Sequence, residues 1–454
     1  MRRPILLTLA LAAAALALAA PAHALLTRKA ASGSSASLVL SADTPHAAPS
    51  GPALTLREAY ALALDRSEAL AVQAQDIEEA KARFLDSFRY FLPDVRFRTS
   101  RREQDVREGS GSAEGISSDA RRRITPEEKF TFTQPIFSGF KEIAALRASG
   151  ADRRQQRLEY ERAEQLLFVD VMEAYYTALE SRRDAEILRE ISDLLDKRLK
   201  ELEERVRLGR SRESELKSSL ADQRLVQADL TEAAERAAIS EDLLSFYIGQ
   251  EVRGRALADE ALPPMPGDTI ESYADLAERT RKDVKAYEDG LFLAEQGVLS
   301  ATAGFLPKAW VEGNYYTRRV GFQNGNDWDA LLVLEVPIFD GAQNWSGLKQ
   351  AAVDKEKARL LLEESRRVAR REARSAFRSA LLSRQAEEKL GEANTAAKEN
   401  YDILTAEYRL SLVNNLEVLD ALRRYQDINR RYNGAKYRAH REYWRFKSAV
   451  GDLS

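Results

Sequence analysis

Phe91-Leu92-Pro93 and Gln134-Pro135-Ile136-Phe137-Ser138-Gly139 recur further along the chain as Phe305-Leu306-Pro307 and Val336-Pro337-Ile338-Phe339-Asp340-Gly341. The first recurrence is offset by 214 residues and the second by 202, so the register changes once, by twelve residues, between the two proline motifs. Thr55-Leu56 and Thr269-Ile270 keep the first offset; Arg207-Leu208-Gly209 through Glu215 and Arg409-Leu410-Ser411 through Glu417 keep the second. A length difference confined to one place reads as a longer hairpin tip, where insertions are tolerated. The chain is two copies of one plan.

Within each copy the pattern changes period twice. Residues 56–91 carry a helical apolar stripe (Leu62, Leu70, Ile77, Phe84, Phe88) with no internal Pro or Gly. Pro93 and Pro307 stop such a helix, because proline lacks an N–H and disfavours helical geometry in its predecessor. Alternation follows, predicting strands at about 94–104 and 127–136, then 308–319 and 328–337. A Gly/Ser-rich loop at 108–119 and turn residues Gly321 and Asn324-Gly325-Asn326 mark the hairpin tips. Pro135 and Pro337 close the returning strands. Helices then restart at Ser138-Gly139 and Asp340-Gly341, where Ser and Asp are expected as N-caps. Residues 140–208 and 342–410 contain no proline, enough for about 100 Å of helix each. Leu188, Ile191, Leu195, Leu199, Leu202 and Val206 step as a coiled-coil seam. Shorter helices return over 213–247 and 415–450.

The segments outside the repeats set the compartment. Arg2, Arg3, an apolar run from Ile5 to Ala20 and Ala22-His23-Ala24 have the order of a secretory signal peptide over 1–24. Residues 25–53 are Ala/Ser/Pro-rich and are expected to be a disordered extension; 249–268 is a Gly/Pro-rich linker and 451–454 a tail. The repeats themselves occupy 54–248 and 269–450. The chain has no cysteine, so packing alone must stabilise it and no N-terminal lipid anchor on cysteine is expected. Charged residues make up 31% with a formal net charge of −3, which argues against a nucleic-acid groove.

No later segment is apolar enough for a transmembrane helix, so any membrane entry must use strands closed into a barrel. Four strands cannot close one, since the smallest membrane barrels have about eight. Several copies would have to share a wall. The expected fold is mainly α with a small β part: two repeats, each helix–β-hairpin–long helix–helix. A soluble periplasmic coiled coil with β-hairpin ornaments is the alternative. It is supported by Arg96, Arg98, Arg101 and Arg102 in the first strand, residues that in a barrel would face a watery lumen or lie beyond the lipid.

The paired Phe-Leu-Pro and Pro-Ile-Phe-x-Gly motifs, with Tyr408-Arg-Leu-Ser-Leu-Val-Asn-Asn-Leu-Glu-Val-Leu-Asp-Ala421, resemble the TolC-like outer-membrane efflux protein family over about residues 54–450. The resemblance implies an outer-membrane homotrimer whose twelve-stranded β-barrel continues into a long α-helical barrel in the periplasm. It implies docking to a periplasmic adaptor and an inner-membrane pump or ABC transporter, for efflux or type I secretion. It also implies a gate at the periplasmic helix tips. Glu417 and Asp420 match the family's acidic ring, which would favour cations. Ser218 stands where the first repeat would carry the second acid. Tyr408 and Glu215 match two of three closed-state tip contacts; the third, an arginine, is replaced by Val413, with Arg210 and Arg212 as nearby substitutes.

Nothing in the sequence indicates an enzyme or a cofactor. His23 lies in the expected signal peptide, His46 in the N-terminal extension and His440 near the end of the last helix, and no phosphate-binding glycine loop precedes a helix. Two function classes remain: a passive trans-envelope conduit, and a non-conducting scaffold spanning the periplasm.

Overall fold

The computed structural model describes residues 53–105, 123–320, 325–410 and 412–452. The expected signal peptide, nearly all of the N-terminal extension, the 108–119 loop, Gly321 and Asn324 lie outside the described residues.

The first helical stretch of each repeat is two helices rather than one. Helix α1 (Leu56–Arg66) opens with a reciprocal capping box between Thr55 and Glu58 and ends at Ser67. Ser67 is extended (φ −65°, ψ 108°) and its hydroxyl accepts from the Leu70 N–H, so it also caps α2 (Glu68–Asp86). Arg281 takes the same station between α5 (Ile270–Thr280) and α6 (Lys282–Thr302), with φ −59° and ψ 133°. Its side chain is 3% exposed and donates to Asp283 at 3.0 Å and to Glu372 at 2.6 Å. No Pro or Gly announces either break. A short 3₁₀ turn at Ser87–Tyr90 or Ala303–Phe305 leads into the prolines.

Pro93 and Pro307 stand immediately before β1 (Asp94–Glu103) and β3 (Lys308–Arg319). The returning strands are β2 (Ile124–Phe137) and β4 (Trp328–Glu335). Pro135 sits inside β2 at a register shift, whereas Pro337 lies beyond the end of β4. The four strands form one antiparallel sheet in the order β1-β2-β3-β4, the two repeats joining at β2–β3. Cross-strand rows put Val95, Phe97, Phe130, Phe132, Tyr315, Trp328, Leu332 and Leu334 on one face. Arg96, Arg98, Lys129, Glu312, Asp329 and Glu335 occupy the other. The apolar face is open: Phe97, Trp328, Leu332 and Leu334 are all exposed.

Each hairpin returns to helix through two successive left-handed residues, Gly139-Phe140 (φ 70° and 68°) and Gly341-Ala342 (φ 68° and 71°). Phe140 and Ala342 therefore hold the N-cap position, with no side-chain cap bond, in place of the expected Ser138 and Asp340. Asp340 still contributes, accepting from the Asn344 N–H at 2.8 Å. Helices α3 (Lys141–Arg207) and α7 (Gln343–Arg409) have 67 residues each, about 100 Å, and α4 (Glu213–Ile248) and α8 (Asn415–Val450) have 36. Towards the sheet, α3 packs on α2 and α6, and α6 on α7. Towards the other end, α3 packs on α4 and α8, and α8 on α7.

The core lies along these helix contacts. Around the middle of α3, Phe168, Val171, Met172 and Tyr175 pack with Leu54, Ala59, Leu244 and Ile248. The linker is non-helical and is laid against this core. Leu54 bridges Leu257, and the Tyr175 hydroxyl lies 2.7 and 2.8 Å from the carbonyls of Leu54 and Ala258. Buried His440 stacks on Tyr176 with ring centroids 4.8 Å apart, and its Nδ1 finds no partner among the described residues. Burial pushes its pKa down to about 4. Towards the far end, Leu188, Ile191, Leu195, Val226, Leu419 and Leu422 form the seam between α3, α4 and α8.

Candidate functional site at the helix tips

The two long helices end at the same kind of turn. Leu208 closes α3 and Leu410 closes α7, and the return helices start at Glu213 and Asn415. Asn414 caps α8 reciprocally with Glu417: the Glu417 N–H donates to Asn414 Oδ1 at 3.1 Å, and Asn414 Nδ2 donates to Glu417 Oε1 at 2.6 Å. Glu417 thus has a local structural role beside any role in a pore. Asp420 is exposed, one turn on, and lies 3.7 Å from Arg424. Both carboxylates share the exposed side of α8, opposite buried Val418, Leu419, Ala421 and Leu422.

Tyr408 is buried at the turn, but its cationic partners are not the expected ones. Arg198 and Arg205, both on α3, cover its ring at 3.7 and 4.4 Å from the centroid. Arg210 and Arg212 flank Ser211, whose hydroxyl donates to Glu215 at 2.6 Å. Val413 is half-buried. The tip is therefore organised around Arg198. Its Nε and Nη2 donate to Asn415 Oδ1 at 3.0 and 2.8 Å, and Asn415 Nδ2 reaches Ser219 Oγ at 3.4 Å. One residue each from α3, α4, α7 and α8 meets there. Burial lowers the Arg198 pKa, against the pull of Tyr408 and Glu201; a guanidinium nonetheless stays charged in proteins. Sequence reading overlooked this arginine because it followed Leu199 along the seam. Leu195, Arg198 and Leu202 are the buried steps of three and four.

The surroundings are charged and fully helical. Arg423 donates to Asp222 at 2.6 Å, and Arg430 binds Asp184 with both ends of its guanidinium at 2.7 and 3.0 Å. Among the described residues no group of three or more His, Cys, Asp or Glu side chains could hold a metal ion. Nor is any described helix long and apolar enough to cross a membrane.

A family model described as outer membrane efflux protein matches residues 59–250 and 274–452, both repeats and little of the linker. The chain belongs to the outer membrane efflux protein family. Its relatives include outer membrane protein TolC of Vibrio cholerae serotype O1, 23% identical over 311 residues, which is 66% of this chain and 71% of that protein. Outer membrane protein OprJ of Pseudomonas aeruginosa is 29% identical over 178 residues, 37% of each chain. A crystal structure of a membrane protein from Pseudomonas aeruginosa shares the fold with a TM-score of 0.75 at 19% identity, covering 87% of this chain and 92% of that one. Membership makes this an outer-membrane protein of an efflux-channel family, and not an enzyme.

Proposed function

We propose that three copies of this chain close into one outer-membrane conduit. The β-barrel would have twelve strands, the helices would continue it as a tube through the periplasm, and the helix tips would form its gate. The observation that carries this reading is the sheet. Its apolar face is exposed while its opposite face carries charged residues beside Trp310, Leu331 and Val333, and among the described residues β1 and β4 each have one edge without a strand partner. Such edges are excluded from hydrocarbon, so the sheet enters lipid only when closed by further copies. Charged residues then face the lumen, and Arg96 and Arg98 are no obstacle to insertion.

At the other end, Glu417 and Asp420 of three copies would place six carboxylates around the axis, a ring that attracts cations. The buried Arg198–Tyr408–Asn415 cluster would hold the tip closed, in place of a contact at Val413. On this reading the chain serves a tripartite efflux system or type I secretion, with a periplasmic adaptor and an inner-membrane pump or ABC transporter as partners.

The deciding experiment is the mass of the detergent-solubilised protein together with planar-bilayer recording. A trimer that gives discrete conductance steps is expected. A trimer that never conducts would leave only the scaffold reading, and a monomer would remove both.

A further inference from the structure

Arginine is abundant on α7 and α8, and many of these side chains are answered by a carboxylate. Arg366, Arg370 and Arg374 reach Glu288, Glu278 and Glu271 on α6 and α5, and Arg441 reaches Glu180 on α3 at 2.6 Å. Arg378 and Arg438 differ. Both are exposed, and neither has a hydrogen-bond or ion-pair partner among the described residues. Arg438 lines a cleft of about 740 Å³ between α7 and α8. Arg378 lines an adjoining hollow of about 310 Å³ on α7, and the two cavities share Ser379 and Leu382. Glu180 is the one acid on either described lining, and Arg441 already holds it. No linker residue lines either cavity; Arg384 and Lys436 hold the linker beside them, at the Pro263 carbonyl and at Asp259.

From this we infer that the cleft binds an amphiphilic organic anion, a carboxylate or sulfonate on an apolar body, with its charged head at Arg378 and Arg438. A guanidinium presents a planar fork of donors that matches such oxyanions, and here two forks are unanswered. Arg374 adds a third donor to the hollow: its Nη2 serves Glu271 at 2.5 Å, while its Nε is buried without an acceptor among the described residues. Arg371 and Arg431 raise the positive potential further, since each is paired only along its own helix, with Glu372 and Asp427, in exposed pairs that hold weakly. The apolar half is Leu382, 63% exposed where the two cavities meet, continued by Leu390 within the cleft. A bare inorganic anion would leave these leucines in water, and the cleft has the size of a small-molecule site. A single chain supplies every wall, so binding is open to measurement whether or not the protein conducts.

Calorimetric titration of the detergent-solubilised protein with naphthalene-2-sulfonate tests the site. Binding should saturate at one sulfonate per chain and weaken as salt rises. Arg378→Gln with Arg438→Gln should lower the affinity roughly tenfold or more, and the uncharged naphthalene-2-sulfonamide should bind about as much more weakly to the unaltered protein. Leu382→Ser should weaken the sulfonate several-fold. Arg189→Gln with Arg279→Gln removes the same charge from exposed positions that line neither cavity, and should leave the affinity unchanged. Absence of saturable binding, equal binding of the sulfonamide, or an equal loss in the two arginine pairs overturns the site. Inorganic sulfate competing as well as the naphthalene compound also overturns it, because Leu382 and Leu390 would then contribute nothing. A protein that binds the sulfonate as expected but never conducts would reject the conduit reading and leave the site standing.

Discussion

Arg198 and Tyr408 meet across the boundary between the two repeats, the guanidinium carbon 3.7 Å from the ring centroid, while the same guanidinium binds Asn415 at the start of the returning helix. The arginine joins the end of one long helix to the beginning of the helix that follows it. Arg198→Ala would leave the Asn415 carbonyl without its donor and the ring uncovered on one side, a loss of roughly 2–3 kcal/mol. Hydrogen exchange over residues 405–420 should accelerate before the rest of the protein responds. Tyr408→Phe keeps the ring and should stay close to wild type. Equal acceleration in both variants would shift the role from ring to hydroxyl.

Much of this was legible in the chain. The repeated proline motifs locate the hairpins, and proline's missing N–H marks where each helix must stop. The breaks at Ser67 and Arg281 were not legible, because neither depends on a local breaker. Ser67 supplies its own cap, and Arg281 is held by Glu372, ninety-one residues away. Arg198 was missed for a related reason: a charged residue at a seam position is visible only when its partners, here Asn415 and Tyr408, are known to be adjacent. Glu417 and Asp420 are named only by their match to the family motif, whereas the capping role of Glu417 is legible in the Asn-x-x-Glu pattern that opens α8.

Glu417 caps α8 as well as being proposed for the acidic ring, which calls for a conservative test. Glu417→Gln with Asp420→Asn removes both charges and keeps a capping side chain. Stability should change little, while block by divalent cations and cation selectivity in planar bilayers should fall. Glu417→Ala alone should weaken the α8 cap by about 1 kcal/mol. An unchanged single-channel record in the Gln/Asn variant would discard the acidic ring.

His440 gives a pH dependence of defined sign. Its folded pKa, about 4, lies below the ordinary histidine value, so between those two pH values the unfolded chain binds the extra proton. The contribution is intact above about pH 6.5 and is lost as pH falls towards 4, up to about 3 kcal/mol per chain. Asp259 and Lys436 act on it with opposite signs. His440→Phe should flatten the melting-temperature difference between pH 7 and pH 5. An undiminished difference would assign the acid sensitivity between pH 7 and pH 5 to other groups; Asp283, which Arg281 holds below the usual carboxylate range against the opposing effect of burial, loses its contribution only at still lower pH.

Glycine supplies an internal control where the two repeats join. Gly139→Ala meets both the left-handed backbone and the Ala303 carbonyl and should cost 2 kcal/mol or more, a rough figure. Gly209→Ala has a similar φ with open space around it and should cost only about 1 kcal/mol. Denaturant melts of the two variants compare them directly, and equal losses would mean that the contact with Ala303 contributes nothing.

The covalent join between the repeats also bears on how fast a ring could form. Six half-units closing by collision would need six separate encounters, with a steep dependence on concentration. A chain that leaves synthesis with β2 already seated on β3 halves that number. In the three-copy ring proposed above, closure would then be a search by three bodies, each carrying one finished seam as the template for the next.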